Sequence, residues 1–246
     1  MPKKIDEQLL KIERRIGRSV RTKMSVLLSL INEEVDKLGF TNIKEKNDII
    51  TRLRRKIPQL IKRAGLNKVT SDINRQLPQV SQASVEQLAR DLGITATALR
   101  AGKTTPGKRM IIKESLKNNN RNVIDMGKRF RKVLLLKNIS TMTRSQFDKL
   151  MISTTNLSQG QYAAQVTTAV QGFDNSVTSI KANAIGAEEF RYAGAEDSKN
   201  RDFCAERVNK VFTDAEAATW DNGQGLPADI YLGGYQCRHR KEYILR

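Results

Sequence analysis

The chain has 246 residues, 39% of them hydrophobic and 5% aromatic, and its 44 Lys and Arg against 26 Asp and Glu give a formal charge of +18. That length admits one large domain or two smaller ones, with enough apolar content for a core but little for a single compact enzyme. Met1 to Asp6 leads directly into charged amphipathic sequence, and no apolar run reaches the roughly 18 residues of a membrane span, so the expectation is a soluble protein that is not classically secreted.

The first predicted element is a long amphipathic helix. Ile5, Leu9, Ile12, Ile16, Val20, Met24, Leu27, Ile31, Val35 and Leu38 recur every three or four positions, which places them on one stripe, and Gly39 is a natural stop. At 1.5 Å per residue the helix would reach about 50 Å, a length suited to a strut or an oligomer contact. A coiled-coil seam would fit the stripe, but Gly17 and the missing regular e/g charge code count against it and make packing within an α-helical assembly at least an equal reading.

A second helix is expected through Ile49, Ile50, Leu53 and Ile57, with Pro58 breaking or restarting it before Leu60, Ile61 and a stop at Gly65. Its polar face carries Arg52, Arg54, Arg55, Lys56, Lys62 and Arg63. After Pro78, the run from Ser84 to Arg100 has the look of a helix-turn-helix, with Ala89 allowing close helix approach, Gly93 at the turn, and Ile94 and Leu99 facing inward. The second helix is cut short by Gly102 and Pro106 and offers few side chains for bidentate base contacts, so a plain helical hairpin is the preferred reading over a DNA-reading one.

From Pro106 to about Ser140 a further helix is expected, with Ile112, Leu116, Val123, Phe130 and Leu134 on one side and an interruption at Asn118 to Asn120. Residues 101–149 hold 13 Lys and Arg against 3 Asp and Glu. Lys128, Arg129, Arg131 and Lys132 at their centre are the best phosphate-contacting candidates, followed by Arg54, Arg55 and Lys56. A last long helix carries Tyr162, Val166, Val170, Phe173, Val177, Ile180 and Ala184 as core and ends near Gly186.

Beyond Gly186 the texture changes, and this sets the expected boundary between a basic helical region, 1–186, and a C-terminal module, 187–246. Residues 1–186 hold 35 Lys and Arg against 15 Asp and Glu, whereas 187–246 hold 9 against 11 and eight of the thirteen aromatics. Such a basic surface attracts polyanions through phosphate contacts and counterion release; nucleic acid is the default partner, ahead of an anionic membrane or an acidic protein face. The module reads as α+β: Phe190 to Tyr192 and Glu242 to Ile244 as strands, Asp214 to Trp220 as a short helix capped by Thr213 or Asp214, and Asp221 to Gly223 as a turn. The fold class is therefore mainly α, long amphipathic helices followed by a small α+β module. Sixty residues are marginal alone, so the module needs a staple or a neighbour.

The chain's only histidine and both cysteines, Cys204, Cys237 and His239, lie within this module. Cys-x-His on an extended segment sends both side chains to one face, and with Asp197 or Asp202 as a fourth donor the set would suit structural zinc. The reading preferred to zinc is two small buried thiols, with His239 and Arg238 hydrogen-bonded to Asp197 or Asp202, and a disulfide is the third. A thiol enzyme would need His239 as its base, and no third orienting group, phosphate loop or carboxylate pair stands out, so no enzymatic activity and no other cofactor are expected.

Ala195 to Cys204, then Lys210 to Thr213, Asn222 to Pro227, and Gly233 to His239 resemble in their order the C-terminal signature of phage head morphogenesis proteins of the Mu F type. There an Asp-x-x-x-Arg-x-x-Cys segment precedes a glycine-rich Cys-Arg-Cys or Cys-Arg-His ending. The resemblance covers about the last 60 residues. It implies a minor structural protein of a tailed-phage virion, made in the host cytoplasm, placed in the head interior or at the portal vertex, and assembled with portal or major capsid protein as part of an oligomer, away from membrane. Asp197, Arg201, Cys204, Gly234, Cys237, Arg238 and His239 would be its motif-forming residues, with Asp197, Arg201 and Arg238 as an ion-pair network. The rival expectation is a DNA-binding regulatory or nucleoid-like protein using residues 84–100.

Overall fold

A computed structural model of the chain describes residues 4–37, 43–100, 123–136 and 138–245. The protein is mainly α-helical, with one small three-stranded antiparallel sheet near its C-terminus. Helix α1 spans Lys4–Asp36, α2 Ile43–Arg63, α3 Val69–Asp91 and α4 Ala96–Arg100; α5 covers 123–133, and α6 spans Arg144–Asn183. The expected helix start at Pro106, with Ile112, Leu116 and the Asn118 to Asn120 interruption, lies outside the described residues, as do Leu38, Gly39 and the side chains of Ile5 and Leu9. No helix among the described residues is long and apolar enough to cross a membrane.

The chain divides into two compact units: Met1–Arg14, Asn74–Leu116 and Ala164–Arg246 form one, Arg15–Ile73 and Lys117–Ala163 the other. In the second, the predicted stripe of α1 is buried from Ile16 through Val20, Met24, Leu27, Ile31 and Val35. The apolar face of α2 is buried likewise, from Ile49 to Ile61. α2 runs unbroken through Pro58, contrary to the expected break, and α3 runs through Pro78. Both prolines are on exposed faces, where water can take up the carbonyl that the missing N–H leaves unpaired. Gly65, at φ 75°, ends α2 as expected.

In the other unit the second half of α6 is central. Residues 172–177 are all buried, among them Asp174, Asn175 and Ser176, so this stretch packs around its whole circumference. Its polar groups are satisfied locally: Ser84 donates to Asp174, Asn175 donates to Ile230 O at 2.9 Å, and the Ser176 hydroxyl donates to Gly172 O at 2.7 Å. Ile180 is only half-buried and Ala184 is exposed, so the expected core face ends before them.

The sheet has β1 (Glu189–Ala193) in its centre, flanked by β2 (Val211–Thr213) and β3 (Arg240–Ile244). Phe190 faces Phe212 on one side and Tyr243 on the other. Three short helices complete the module: α7 (Asp202–Ala205), α8 (Asp214–Ala218) and α9 (Ala228–Tyr231). Thr213 caps α8 in a reciprocal capping box with Glu216, which resolves the choice between Thr213 and Asp214 in favour of Thr213. The module packs on α6: Lys241 and Tyr243 donate to Ser179 Oγ at 3.1 and 2.7 Å, and Gln236 N donates to Thr168 Oγ1 at 3.0 Å.

Candidate functional site

β1 alternates buried and exposed positions, so Phe190 and Tyr192 lie on one face and Tyr192 reaches beneath the glycine-rich turn that leads into β3. α7 brings Cys204 to the same place, and the extended approach to β3 alternates as expected: Cys237 and His239 inward, Arg238 outward. The donor atoms of Cys204, Cys237 and His239 all lie within 4.8 Å of one another, with the residues 2%, 3% and 5% exposed. Neither cysteine is in a disulfide.

The immediate shell is polar and specific. The Tyr192 hydroxyl donates to Cys204 Sγ at 3.4 Å and lies 3.7 Å from Cys237 Sγ. Gly233 N–H donates to Cys237 Sγ at 3.3 Å, and Cys237 Sγ is 3.7 Å from His239 Nδ1. Hydrogen bonding from Cys204, then from the backbone N–H groups of His239 and Gly233, holds the Cys237 thiol well below its ordinary pKa against the opposing effect of burial. Cys204, the donor to Cys237 and itself buried, moves upward. Burial, with the two sulfurs beside it, raises the Tyr192 phenol.

Two glycines make this approach sterically feasible. A Cβ at Gly233 would stand 2.3 Å from Cys204 Sγ, and one at Gly194 would stand 2.5 Å from His239 Cδ2. Gly234 holds φ 87°, a conformation that L side chains rarely adopt. Rings close around the site: Tyr192 lies 5.0 Å from His239 and 6.3 Å from Trp220 between centroids, and Phe212 meets Trp220 edge-on at 4.8 Å.

The charged motif residues tie the outer layer. Arg238 grips Asp197 with both terminal nitrogens, at 2.7 and 2.5 Å, and also donates to Asn200 Oδ1 at 2.9 Å. That guanidinium keeps the Asp197 carboxyl well below the usual carboxylate range. Asp197 is thus committed to Arg238 and is not part of the sulfur and imidazole cluster, where it was expected as a fourth ligand. Arg201 departs from the expected three-membered ion-pair network, because its guanidinium donates to backbone, Gly233 O at 3.0 Å and Tyr235 O at 2.6 Å. His239 bonds through Nε2 to Ala195 O at 3.0 Å and takes neither Asp197 nor Asp202.

Tyr192 and Gly194 lie outside the motif runs, and Ala195 and Gly233, though they open two of those runs, carried no expected role in the site. Phe190 and Tyr192 at period two signalled a shared face, but only the pairing of β1 with β3 says what that face meets.

The basic candidates lie in the unit formed by 15–73 and 117–163. On α5, Lys128, Arg131 and Lys132 are exposed and Arg129 is half-buried; Lys128 also meets Asp125 at 3.1 Å. Lys62, Lys128 and Arg131 line one cleft with Pro58, Ile61 and Ile124, so part of the cationic face of α2 joins that of α5. On α2, Arg55 is exposed and Arg54 half-buried, while Lys56 is held 2.5 Å from Glu34, which draws its charge inward. Residues 84–100 form the end of α3, a turn at Gly93 with φ 66°, and α4. No protein-family model, curated protein or solved structure matches the chain.

Proposed function

We propose that this chain is a non-enzymatic minor structural protein of a tailed-phage virion, acting in head morphogenesis at the portal or inner capsid surface and lying against packaged double-stranded DNA. The observation that carries this reading is the meeting of its separate motif segments: Asp197 with Arg238, Arg201 with Gly233 and Tyr235, Cys204 with Cys237. Residues that recur in order in the Mu F-type signature thereby have a common mechanical reason to recur, since each ties one stretch of the module to another. The cleft lined by Lys62, Lys128 and Arg131 supports a DNA-facing role. A nucleophilic thiol needs access, and the burial of Cys204, Cys237 and His239 favours a structural use.

The test is mass spectrometry of purified, DNA-filled particles from the phage or prophage that encodes the chain, followed by imaging of the portal vertex. The chain is expected at low copy number in the head. Particles that assemble and package DNA normally without it would overturn the proposal, and tight binding to one duplex sequence alone would favour a regulator built on residues 84–100.

A further inference from the structure

Buried thiols pack as small hydrophobes, so the imidazole is the telling member of this cluster: the lone pair of a neutral buried ring needs a partner. The orientation of His239 is the informative feature. Its Nε2 lies 3.0 Å from the carbonyl oxygen of Ala195, which can only accept, so Nε2 carries a proton and, in the neutral ring that a metal requires, Nδ1 presents its lone pair toward the sulfurs. A backbone carbonyl fixing the remote nitrogen of a ring is the usual outer support of a metal-bound histidine. Gly233 N–H, at 3.3 Å from Cys237 Sγ, supplies the corresponding support for a thiolate.

The spacings agree with this. Zinc–sulfur and zinc–nitrogen bonds of about 2.3 and 2.0 Å in a tetrahedron place ligand atoms roughly 3.5 to 3.8 Å apart. Cys237 Sγ and His239 Nδ1 are 3.7 Å apart, and the Tyr192 hydroxyl oxygen is 3.4 and 3.7 Å from the two sulfurs. The widest separation among the three sulfur and nitrogen donors is within 4.8 Å, so closure onto an ion needs only small side-chain movements. The absent side chain at Gly233 keeps the space beside both sulfurs and Tyr192 clear: its Cβ would also lie 3.2 Å from Cys237 Sγ and 3.5 Å from the Tyr192 oxygen.

We propose that Cys204 Sγ, Cys237 Sγ and His239 Nδ1 bind a structural Zn2+ ion, with the Tyr192 hydroxyl oxygen at the fourth corner. Thiolate and imidazole donors select zinc over magnesium or calcium. The ion is the staple that a small module without a disulfide otherwise lacks, joining α7 to the approach of β3 over the central strand. This assignment is independent of the virion reading.

The full chain, purified under reducing conditions from cells supplied with zinc, should contain about one zinc per molecule, and a strong chelator should lower its melting temperature. Replacement of zinc by Co2+ should give thiolate-to-cobalt charge-transfer absorption together with the visible bands of a tetrahedral ion. Cys204→Ser, Cys237→Ser and His239→Ala should each reduce zinc affinity at least about tenfold, and Tyr192→Phe should weaken it while keeping the charge-transfer band. If those variants fail to fold, the cobalt spectrum of the unaltered chain decides the matter by itself. A folded, reduced chain that takes up neither metal and melts identically in chelator overturns the site, as does a Cys204 to Cys237 disulfide in the chain isolated from cells.

Discussion

At the scale of single residues, the module is held by side chains whose partners come from distant stretches of sequence. Lys241 is the sharpest case. It occupies a buried position of β3, at 2% exposure, where its ammonium meets Asp214 Oδ1 at 2.5 Å and lies 4.9 Å from the Phe190 ring centroid. Burial lowers its pKa, opposed by Asp214. Asp214→Asn leaves that ammonium without its counter-charge and should cost about 3 kcal/mol by urea denaturation, more than Lys241→Met, which removes the charge itself. Gly233→Ala drives a methyl into Cys204 Sγ and should cost at least about 2 kcal/mol in the same measurement, whereas Gly160→Ala, with nothing within 4 Å, should not destabilise the protein. Glu34 supplies a pH signature, since the hydrogen bond from Lys56 holds its carboxyl below the usual 4.5. The unfolded chain therefore takes up this proton first as the medium is acidified, so the contribution is complete at neutral pH and fades below about pH 4.5. In Glu34→Gln, stability should fall less steeply over that acidic interval, followed by denaturation at a series of pH values.

At the scale of elements, the sequence was most legible where one face of a helix is buried. The three-and-four spacing in α1 gave its extent and buried stripe, and that in α2 gave the inward face from Ile49 to Ile61. The expected break at Pro58 failed for a local reason: the ring projects from the exposed side, where the loss of one intrahelical bond is tolerable but still unfavourable. Pro58→Ala should accordingly stabilise the protein by about 1 to 3 kcal/mol, read as a higher denaturation midpoint. α6 was legible only in part, because a helix packed around its whole circumference in 172–177 has no single stripe and buries Asp174, Asn175 and Ser176 as well as Phe173 and Val177. The strand character of Phe190 to Tyr192 and Glu242 to Ile244 was readable from aromatic and β-branched content. β2 appeared only as one of the motif runs, since three residues carry too little pattern to identify a strand.

At the scale of the whole molecule, charge distribution is the property that function would use. The cleft lined by Lys62, Lys128 and Arg131 joins residues that are far apart in the chain, whereas Lys56 is drawn onto Glu34 and under the proposed function would make a weaker phosphate contact than its neighbours. Unrelated duplexes should bind with similar affinity, and log affinity should fall steeply with log salt. Replacing Lys62, Lys128 and Arg131 together by Ala should weaken binding to all sequences alike and reduce the salt slope by roughly 2 to 3, as measured by fluorescence anisotropy across a salt series.

The sequence by itself determined the helical class, the stripes of α1 and α2, the change of texture after Gly186, and the presence of two thiols and one imidazole within a 60-residue stretch. These follow from local periodicity and composition, which act over a few turns of chain. Tertiary structure decided which motif residues meet: Asp197 took Arg238, Arg201 took backbone carbonyls, and His239 turned its Nδ1 toward Cys237. Those choices depend on the pairing of β1 with β3 and on glycines that admit close approach, contacts between positions far apart in the chain that no local pattern encodes.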